Sequence, residues 1–99
     1  MEAIPGNDIP RQVQTTIKVF PNPFNDHVRF VVTAPGGGKG SLELFNSLGQ
    51  KIKTVFQGRL QPGVNMFQVI LPSGKSAQLI YVLRIGAKQV TGKLVQLNQ

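Results

Sequence analysis

The side chains that could carry chemistry in this sequence are few, and their positions favour none of the common catalytic arrangements. His27 is the single histidine and directly follows Asp26. Because successive residues of a strand point to opposite faces, we expect this pair not to form a proton relay. We therefore expect His27 to be a surface residue at the start of a strand.

The acidic residues are too few to build a carboxylate site. The sequence holds four of them, Glu2, Asp8, Asp26 and Glu43, and no cysteine. A pair of catalytic acids or a calcium cage requires several carboxylates brought together. The absence of cysteine excludes disulfides, thiolate catalysis and cysteine-based zinc sites. We therefore predict no enzyme activity, no metal site and no cofactor.

The stretch GGGKGS at 36–41 contains glycines and a lysine, as phosphate-binding loops do. It lacks the G-x-x-x-x-G-K-[ST] spacing, and no helical pattern follows that could supply a helix dipole. Three successive glycines after Pro35 cannot sustain a strand cheaply. The segment APGGGKG at 34–40 is therefore predicted to break the backbone as a flexible hairpin tip.

The net charge is +7, from 11 lysines and arginines against 4 acids. The basic residues are spread along the chain, whereas nucleic-acid-binding proteins usually cluster them among exposed aromatic rings. This pattern favours a solvated basic surface and no specific nucleic-acid partner, and leaves open a weak contact with an anionic surface. No apolar run approaches the roughly 18 residues that span a bilayer, so the chain is predicted not to cross a membrane.

Short alternating runs separated by turn residues predict an all-β fold. In HVRFVVT (27–33), for example, Val28, Phe30 and Val32 fall on one face, and the nearly continuous apolar run QLIYVLRI (78–85) is typical of a central strand. Seven such runs with turns about every 8–12 residues favour an immunoglobulin-like antiparallel β-sandwich, with a small closed barrel as the alternative. We assign residues 1–16 to a linker or arm and residues 17–99 to the sandwich.

The clearest hairpin joins SLELFN (41–46) to QKIKTVF (50–56) through a turn at Gly49. Its alternation predicts Ile52 and Phe56 on the inner face, and Lys51 and Lys53 on the outer face. In VNMFQVIL (64–71) both faces are apolar, so the pattern does not decide which face is buried.

The segment VFPNPFND (19–26) predicts a stiff corner between the first two strands. Each proline fixes its own φ and steers the preceding residue out of helical geometry. The corner residues are Phe20, Pro21, Asn22, Pro23 and Phe24. We expect both phenylalanine rings to plug one end of the core, so that the corner locks the first strand to the sandwich.

Five motifs, taken in order, give the chain a family resemblance. They are FPNPF (20–24), LELFNSLGQKI (42–52), QPGVNMF (61–67), IYVLRI (80–85) and VTGKLVQL (90–97). This ordered set resembles the C-terminal sorting domain of the type IX secretion system over roughly residues 17 to 97. The sequence departs from the family pattern at Leu79, where a glycine is common, and at Val69, where a tryptophan is often found; the second change suggests a smaller side chain in a repacked core.

The resemblance implies a role in which the domain is bound and does not react. Such domains carry an N-terminal cargo domain through the periplasm and across the outer membrane of Gram-negative cells to the cell surface or the medium. The implied partners are the outer-membrane translocon, a sortase-like cysteine protease that cleaves upstream of the domain, and anionic lipopolysaccharide. The family places recognition in the last strands, which here contain Lys88, Thr91, Lys93, Leu94, Val95 and Leu97. An exposed terminal strand edge and a loose arm would suit a partner strand and the protease.

Two other functions remain open from the residues alone. Tyr81 and the phenylalanines could form a sugar-stacking platform, as in carbohydrate-binding accessory modules, although the alternation needs most of these rings in the core. Alternatively, the domain could be a structural spacer that forms homotypic contacts, because its strand edges are apolar and lack proline.

Overall fold

The structure is a computed structural model that describes residues 14–72 and 77–97. Within these ranges the chain forms strands and turns and no helix, which confirms the predicted all-β class. None of this described part could cross a membrane as a long apolar helix. The predicted arm lies outside the described residues except for 14–16. The seven strands are β1 (Thr16–Phe20), β2 (His27–Ala34), β3 (Gly38–Asn46), β4 (Lys51–Leu60), β5 (Gly63–Ile70), β6 (Ala77–Ile85) and β7 (Lys88–Gln96).

The strands form two antiparallel sheets that pack face to face as an immunoglobulin-like sandwich. One sheet has the order β1-β2-β5 and the other the order β4-β3-β6-β7. The sheets are separate, so the closed barrel is not formed. The edges are β1 and β5 in the first sheet and β4 and β7 in the second, while β6 is an inner strand of its sheet, as its sequence predicted.

The core lies between the two inner faces and follows the strand alternation. Val28, Phe30 and Val32 of β2 are fully buried, as predicted. Leu79 and Val69, the two departures from the family pattern, are also buried in this core. The other buried hydrophobic side chains of the cluster are Phe24, Ala34, Leu42, Leu44, Leu60, Leu83 and Leu94.

The structure resolves the faces of β5. Asn65, Phe67 and Val69 turn toward the sandwich, whereas Val64, Met66 and Ile70 are exposed on the outer face. The ring of Phe67 packs against Phe56 of β4, with ring centroids 4.8 Å apart, so these two rings close the side of the core between the edge strands β4 and β5.

Strand β4 differs from its prediction because its pairing with β3 is irregular. The register shifts twice. Leu42 pairs with Phe56 but Glu43 pairs with Thr54, so the pairing skips Val55. A second shift, between Leu44 and Phe45, skips Ile52. Each inserted residue reverses the side-chain alternation beyond it. Ile52 is consequently exposed, contrary to the prediction, and Phe56 is half-buried.

The glycine-rich segment is less disruptive than predicted. Only residues 35–37 lie outside the strands, with Gly37 at φ 64°, and β3 already begins at Gly38. A Cβ at Gly40 would overlap the carbonyl oxygen of Arg84 on β6, so the bare backbone allows β3 and β6 to pair closely there. In the next turn, Gly49 has φ 84°, as its position predicted, and Asn46 Oδ1 accepts hydrogen bonds from the amides of Leu48 and Gln50.

Candidate functional site

The proline corner connects β1 to β2 and places its two aromatic rings in different environments. Phe24 is 1% exposed and belongs to the core. Phe20 was expected to plug the core too, but it is 43% exposed, with the Arg29 guanidinium 5.8 Å from its ring centroid. Strand alternation explains the difference, because Phe20 extends the outward row of β1 that contains Thr16 and Lys18. The peptide bonds that precede Pro21 and Pro23 are both cis.

The side chain of Asn22 binds the outer edge of the terminal strand β7. Its Nδ2 donates to the carbonyl oxygen of Lys93 at 3.1 Å, and its Oδ1 accepts from the amide of Val95 at 3.1 Å. One primary amide thus satisfies both a donor and an acceptor of the strand edge. Asn22 occupies the place that a backbone peptide of a neighbouring strand would take.

The backbone of Phe24 continues this pairing. Its amide donates to the carbonyl oxygen of Val95 at 2.9 Å, and its carbonyl oxygen accepts from the amide of Leu97 at 2.8 Å. These bonds form a parallel bridge between Phe24 and Gln96. We call this unit, the corner residues 21–24 bonded to residues 93–97 at the end of β7, the corner clasp.

Gln96 adds a buried polar tie to the corner clasp. It is 7% exposed, and its Nε2 lies within hydrogen-bond distance of the carbonyl oxygens of Asn25 (2.8 Å), Leu71 (3.0 Å) and Pro72 (3.2 Å). The side chain therefore joins β7 to the corner and to the segment that follows β5. Gln96 was not among the predicted site residues, although the alternation places it on the core face two residues after Leu94, where a polar side chain needs partners.

The corner clasp covers only part of the β7 edge. The edge groups that it binds belong to residues 93, 95 and 97, so the odd-numbered residues of β7 direct their backbone groups outward. The backbone amides and carbonyls of Gln89 and Thr91 therefore also point to the outer edge of the sheet. Within the described residues no hydrogen bond to these groups is found. The terminal strand lies at a sheet margin, as expected, but its C-terminal half is paired within the chain.

The six predicted recognition residues fall into two groups. Leu94 is fully buried and contributes to the core. The other five lie at the surface to different degrees: Lys88, Thr91, Lys93 and Leu97 are exposed and Val95 is half-buried. The side chains of Thr91, Lys93, Val95 and Leu97 form an outward row that lies directly beside Asn22. The first motif, FPNPF, and the last, VTGKLVQL, therefore meet on one surface.

Tyr81 is directed into the sandwich. Its ring packs edge-on against Phe30, with centroids 5.9 Å apart, and lies over Gly92 of β7, where a Cβ would overlap the ring. Burial raises the pKa of the Tyr81 phenol above its ordinary value of 10.0. This ring is a packing element and is not presented as a sugar-stacking platform.

The outer face of the four-stranded sheet is basic. Glu43 at its centre binds Arg84 at 3.0 Å and Lys51 at 3.2 Å. Beside this cluster, a shallow depression of about 470 Å³ is lined by Lys39, Ser41, Gln57 and Arg84 and by three glycines. Exposed lysine and arginine side chains around such a depression favour contact with an anionic surface.

Asp26 and His27 are closer than predicted. His27 Nδ1 lies 2.6 Å from Asp26 Oδ1, because Asp26 belongs to the bend before β2 and not to the strand itself. Both side chains are about half exposed, and in the described ranges neither forms a hydrogen bond with a hydroxyl group. The described part of the chain also holds no cluster of three metal-ligating side chains.

The corner clasp, with the outward row of β7 beside it, is therefore the candidate functional site. Comparison of the sequence with protein-family models and with curated proteins finds no match.

Proposed function

We propose that this chain is a C-terminal sorting domain of the type IX secretion system. In this role it carries an N-terminal cargo protein through the periplasm and across the outer membrane, where a cysteine protease cleaves upstream of the domain. The domain acts by being bound, so it requires a folded, accessible surface and no catalytic group.

The observation that carries the proposal is the corner clasp. The proline corner and the terminal strand contain two of the motifs on which the resemblance rests, FPNPF and VTGKLVQL, and Asn22 and Phe24 bond directly to the strand 71 to 73 residues later. A receptor that binds β7 therefore meets the corner in the same footprint. The two motifs form one continuous surface and not two separate signals.

The surface offers a partner both side chains and backbone. Thr91 and Lys93 are exposed on the outward row, and the open edge at Gln89 and Thr91 can accept an added strand. Leu94 supports this strand from the core and does not contact a receptor. The basic depression near Lys39 and Arg84 is the part of the surface that suits anionic lipopolysaccharide.

The export test uses residues 1–99 fused to a reporter protein that is exported to the periplasm of a host with type IX secretion. We expect the reporter to reach the cell surface or the medium. A reporter that stays in the periplasm while the fused domain is folded would contradict the proposed function. Deletion of 88–99 is a poor test of recognition, because it removes Leu94 from the core and the partner strand of the corner.

Point variants separate recognition from folding. Lys93→Glu reverses a charge on the outward row of β7, and Lys53→Glu makes the same change on the exposed surface of β4. We expect Lys93→Glu to reduce export and Lys53→Glu to leave it unchanged, with closely similar melting temperatures. Equal export by both variants would place recognition elsewhere on the domain.

A further inference from the structure

The four edge strands of the sandwich differ in how they are protected against pairing with another strand. Strand β1 is short, carries Lys18 and ends before Pro21. Strand β7 carries Lys88 and Lys93, and the corner clasp covers its C-terminal half. Lysine, proline and coverage by another segment are the usual devices that block edge-to-edge association.

The two edges on the other side of the sandwich show a sharper contrast. Strand β4 carries Lys51, Lys53 and Arg59, and two register shifts make it irregular. Strand β5, with the sequence GVNMFQVI, has no charged residue and no proline, and its pairing with β2 is regular over all eight residues. Among the described edges, β5 is the one that lacks all of these protective features.

The backbone groups on the outer edge of β5, which pairs with no strand of the described residues, can be assigned from one hydrogen bond. The amide of Leu71 donates to the carbonyl oxygen of Asp26 at 2.8 Å, which extends the β2–β5 register by one residue. Because hydrogen-bonding sides alternate along a strand, the odd-numbered residues of β5 bond to β2. The even-numbered residues Val64, Met66, Gln68 and Ile70 therefore direct their amides and carbonyls to the outer edge.

The same even-numbered residues form the exposed outer row of β5. Val64 is 64% exposed, and Met66 and Ile70 are each 59% exposed. An antiparallel, two-fold pairing of β5 with itself, centred on Phe67, would place Met66 opposite Gln68 and Val64 opposite Ile70 of the second copy. The β5 strands of the two copies overlap over the whole of residues 64–70, and every outward amide of one copy meets an outward carbonyl of the other. The row is therefore complementary to itself.

We propose that two copies of this chain associate through their β5 edges and form a continuous six-stranded sheet. The occupant of the edge is a second copy because the pairing leaves no charge at the seam and places Val64 opposite Ile70 at both ends of it. The proposal is independent of the sorting function, since β5 and the corner clasp belong to different edges of the sandwich.

Electrostatics set the strength of the dimer and its response to salt. Each copy carries +7, and the basic strand β4 lies on the same side as β5, as the contact between Phe56 and Phe67 shows. Repulsion between the two copies opposes association and is screened by salt, with a Debye length of about 8 Å at 0.15 M ionic strength. We therefore expect a weak dimer whose association constant rises with salt concentration.

The test is sedimentation equilibrium of the purified 99-residue chain over a range of protein and salt concentrations. We expect a monomer–dimer equilibrium that shifts toward dimer as the NaCl concentration rises from about 0.05 to about 0.5 M. Met66→Lys should lower the association constant at least about tenfold, which corresponds to about 1.4 kcal/mol. Leu48→Lys is the matched control, because it adds the same charge at an exposed apolar residue in the β3–β4 turn and should leave association unchanged.

Amide hydrogen exchange identifies the edge that pairs. As protein concentration rises, the amides of Val64, Met66, Gln68 and Ile70 should become protected, while those of Phe67 and Val69 are protected at every concentration by β2. A chain that stays monomeric at about millimolar concentration in high salt overturns the proposal. A dimer that survives Met66→Lys, or that protects the amides of Gln89 and Thr91 instead, overturns it equally.

Discussion

Replacing Phe24 with alanine should be among the most destabilising single changes in the corner. A buried phenylalanine removes about 150–250 Å² from water, which at about 25 cal/mol per Å² corresponds to roughly 4–6 kcal/mol. Alanine keeps part of that area, but the lost ring leaves a cavity, so the expected loss is about 3–5 kcal/mol. Because Phe24 is 1% exposed, nearly all of this loss should be realised.

Phe20→Ala is the matched control, since it makes the same chemical change four residues away in the same corner. Phe20 is 43% exposed and contacts Arg29, so its removal opens no cavity and should cost about 1–2 kcal/mol. Urea unfolding followed by circular dichroism measures both losses, with m-values that stay near that of the parent chain. Equal losses for the two variants would refute the assignment of Phe24 as the ring that plugs the core.

Three further predictions test other contacts of the structure. Asn22→Ala should cost about 1–3 kcal/mol, because it removes two hydrogen bonds worth about 0.5–1.5 kcal/mol each. Asn22→Asp should also destabilise the corner, because its carboxylate can still accept from the Val95 amide but meets the Lys93 carbonyl oxygen without a proton to donate. A melt that is insensitive to both variants would argue against the corner clasp. Gly92→Ala should lower the free energy of unfolding by about 1–3 kcal/mol, because the added methyl group overlaps the Tyr81 ring. Adding Tyr81→Leu to this variant should recover part of the lost stability. A Gly92→Ala variant as stable as the parent chain would show that the ring moves freely. Tyr81 is the single tyrosine, so an ultraviolet titration of the folded chain should report its phenol alone, with a midpoint above pH 10.0. The free energy of unfolding should fall as the pH rises through the pKa of the folded phenol, because the phenol of the unfolded chain ionises more easily. A midpoint at or below 10.0 would contradict burial of the phenol.

The strands were predictable because their signal is local. Alternation placed Val28, Phe30 and Val32 in the core, and turn residues such as Gly49 marked the hairpin ends. These features depend on neighbouring residues, so a single sequence contains them in full. The sandwich followed from the number and spacing of the strands.

The errors arose where pairing between strands overrides local pattern. Ile52 is exposed because inserted residues in β4 shift its face, and nothing in QKIKTVF marks that shift. Gly38 and Gly40 join β3 because they pair with Leu60 and Gly58 of β4, and Gly40 also pairs closely with Ile85 of β6. Phe20 faces outward because it continues the alternation of β1, whereas the prediction treated it as part of the corner.

The sequence predicted the two segments of the candidate site but not the contacts between them. The residues of the corner and of β7 were singled out separately, but their bonds cross more than 70 residues. No local pattern shows that Asn22 reaches Lys93 and Val95. Asn22 and Gln96 connect the corner to β7 through their side-chain amides. From residue type alone, asparagine is expected in turns and glutamine at the surface, so neither residue is marked as a contact.

The corner clasp also constrains when the domain can finish folding on the ribosome. Chains emerge from the N-terminus at about 5–20 residues per second, so the proline corner waits several seconds before β7 exists to bond with it. Until then the Phe24 backbone lacks its hydrogen-bond partners Val95 and Leu97, and the core around its ring lacks Leu94. The first corner to be synthesised is thus among the last to be completed, and a nascent chain that lacks β7 remains open at this end.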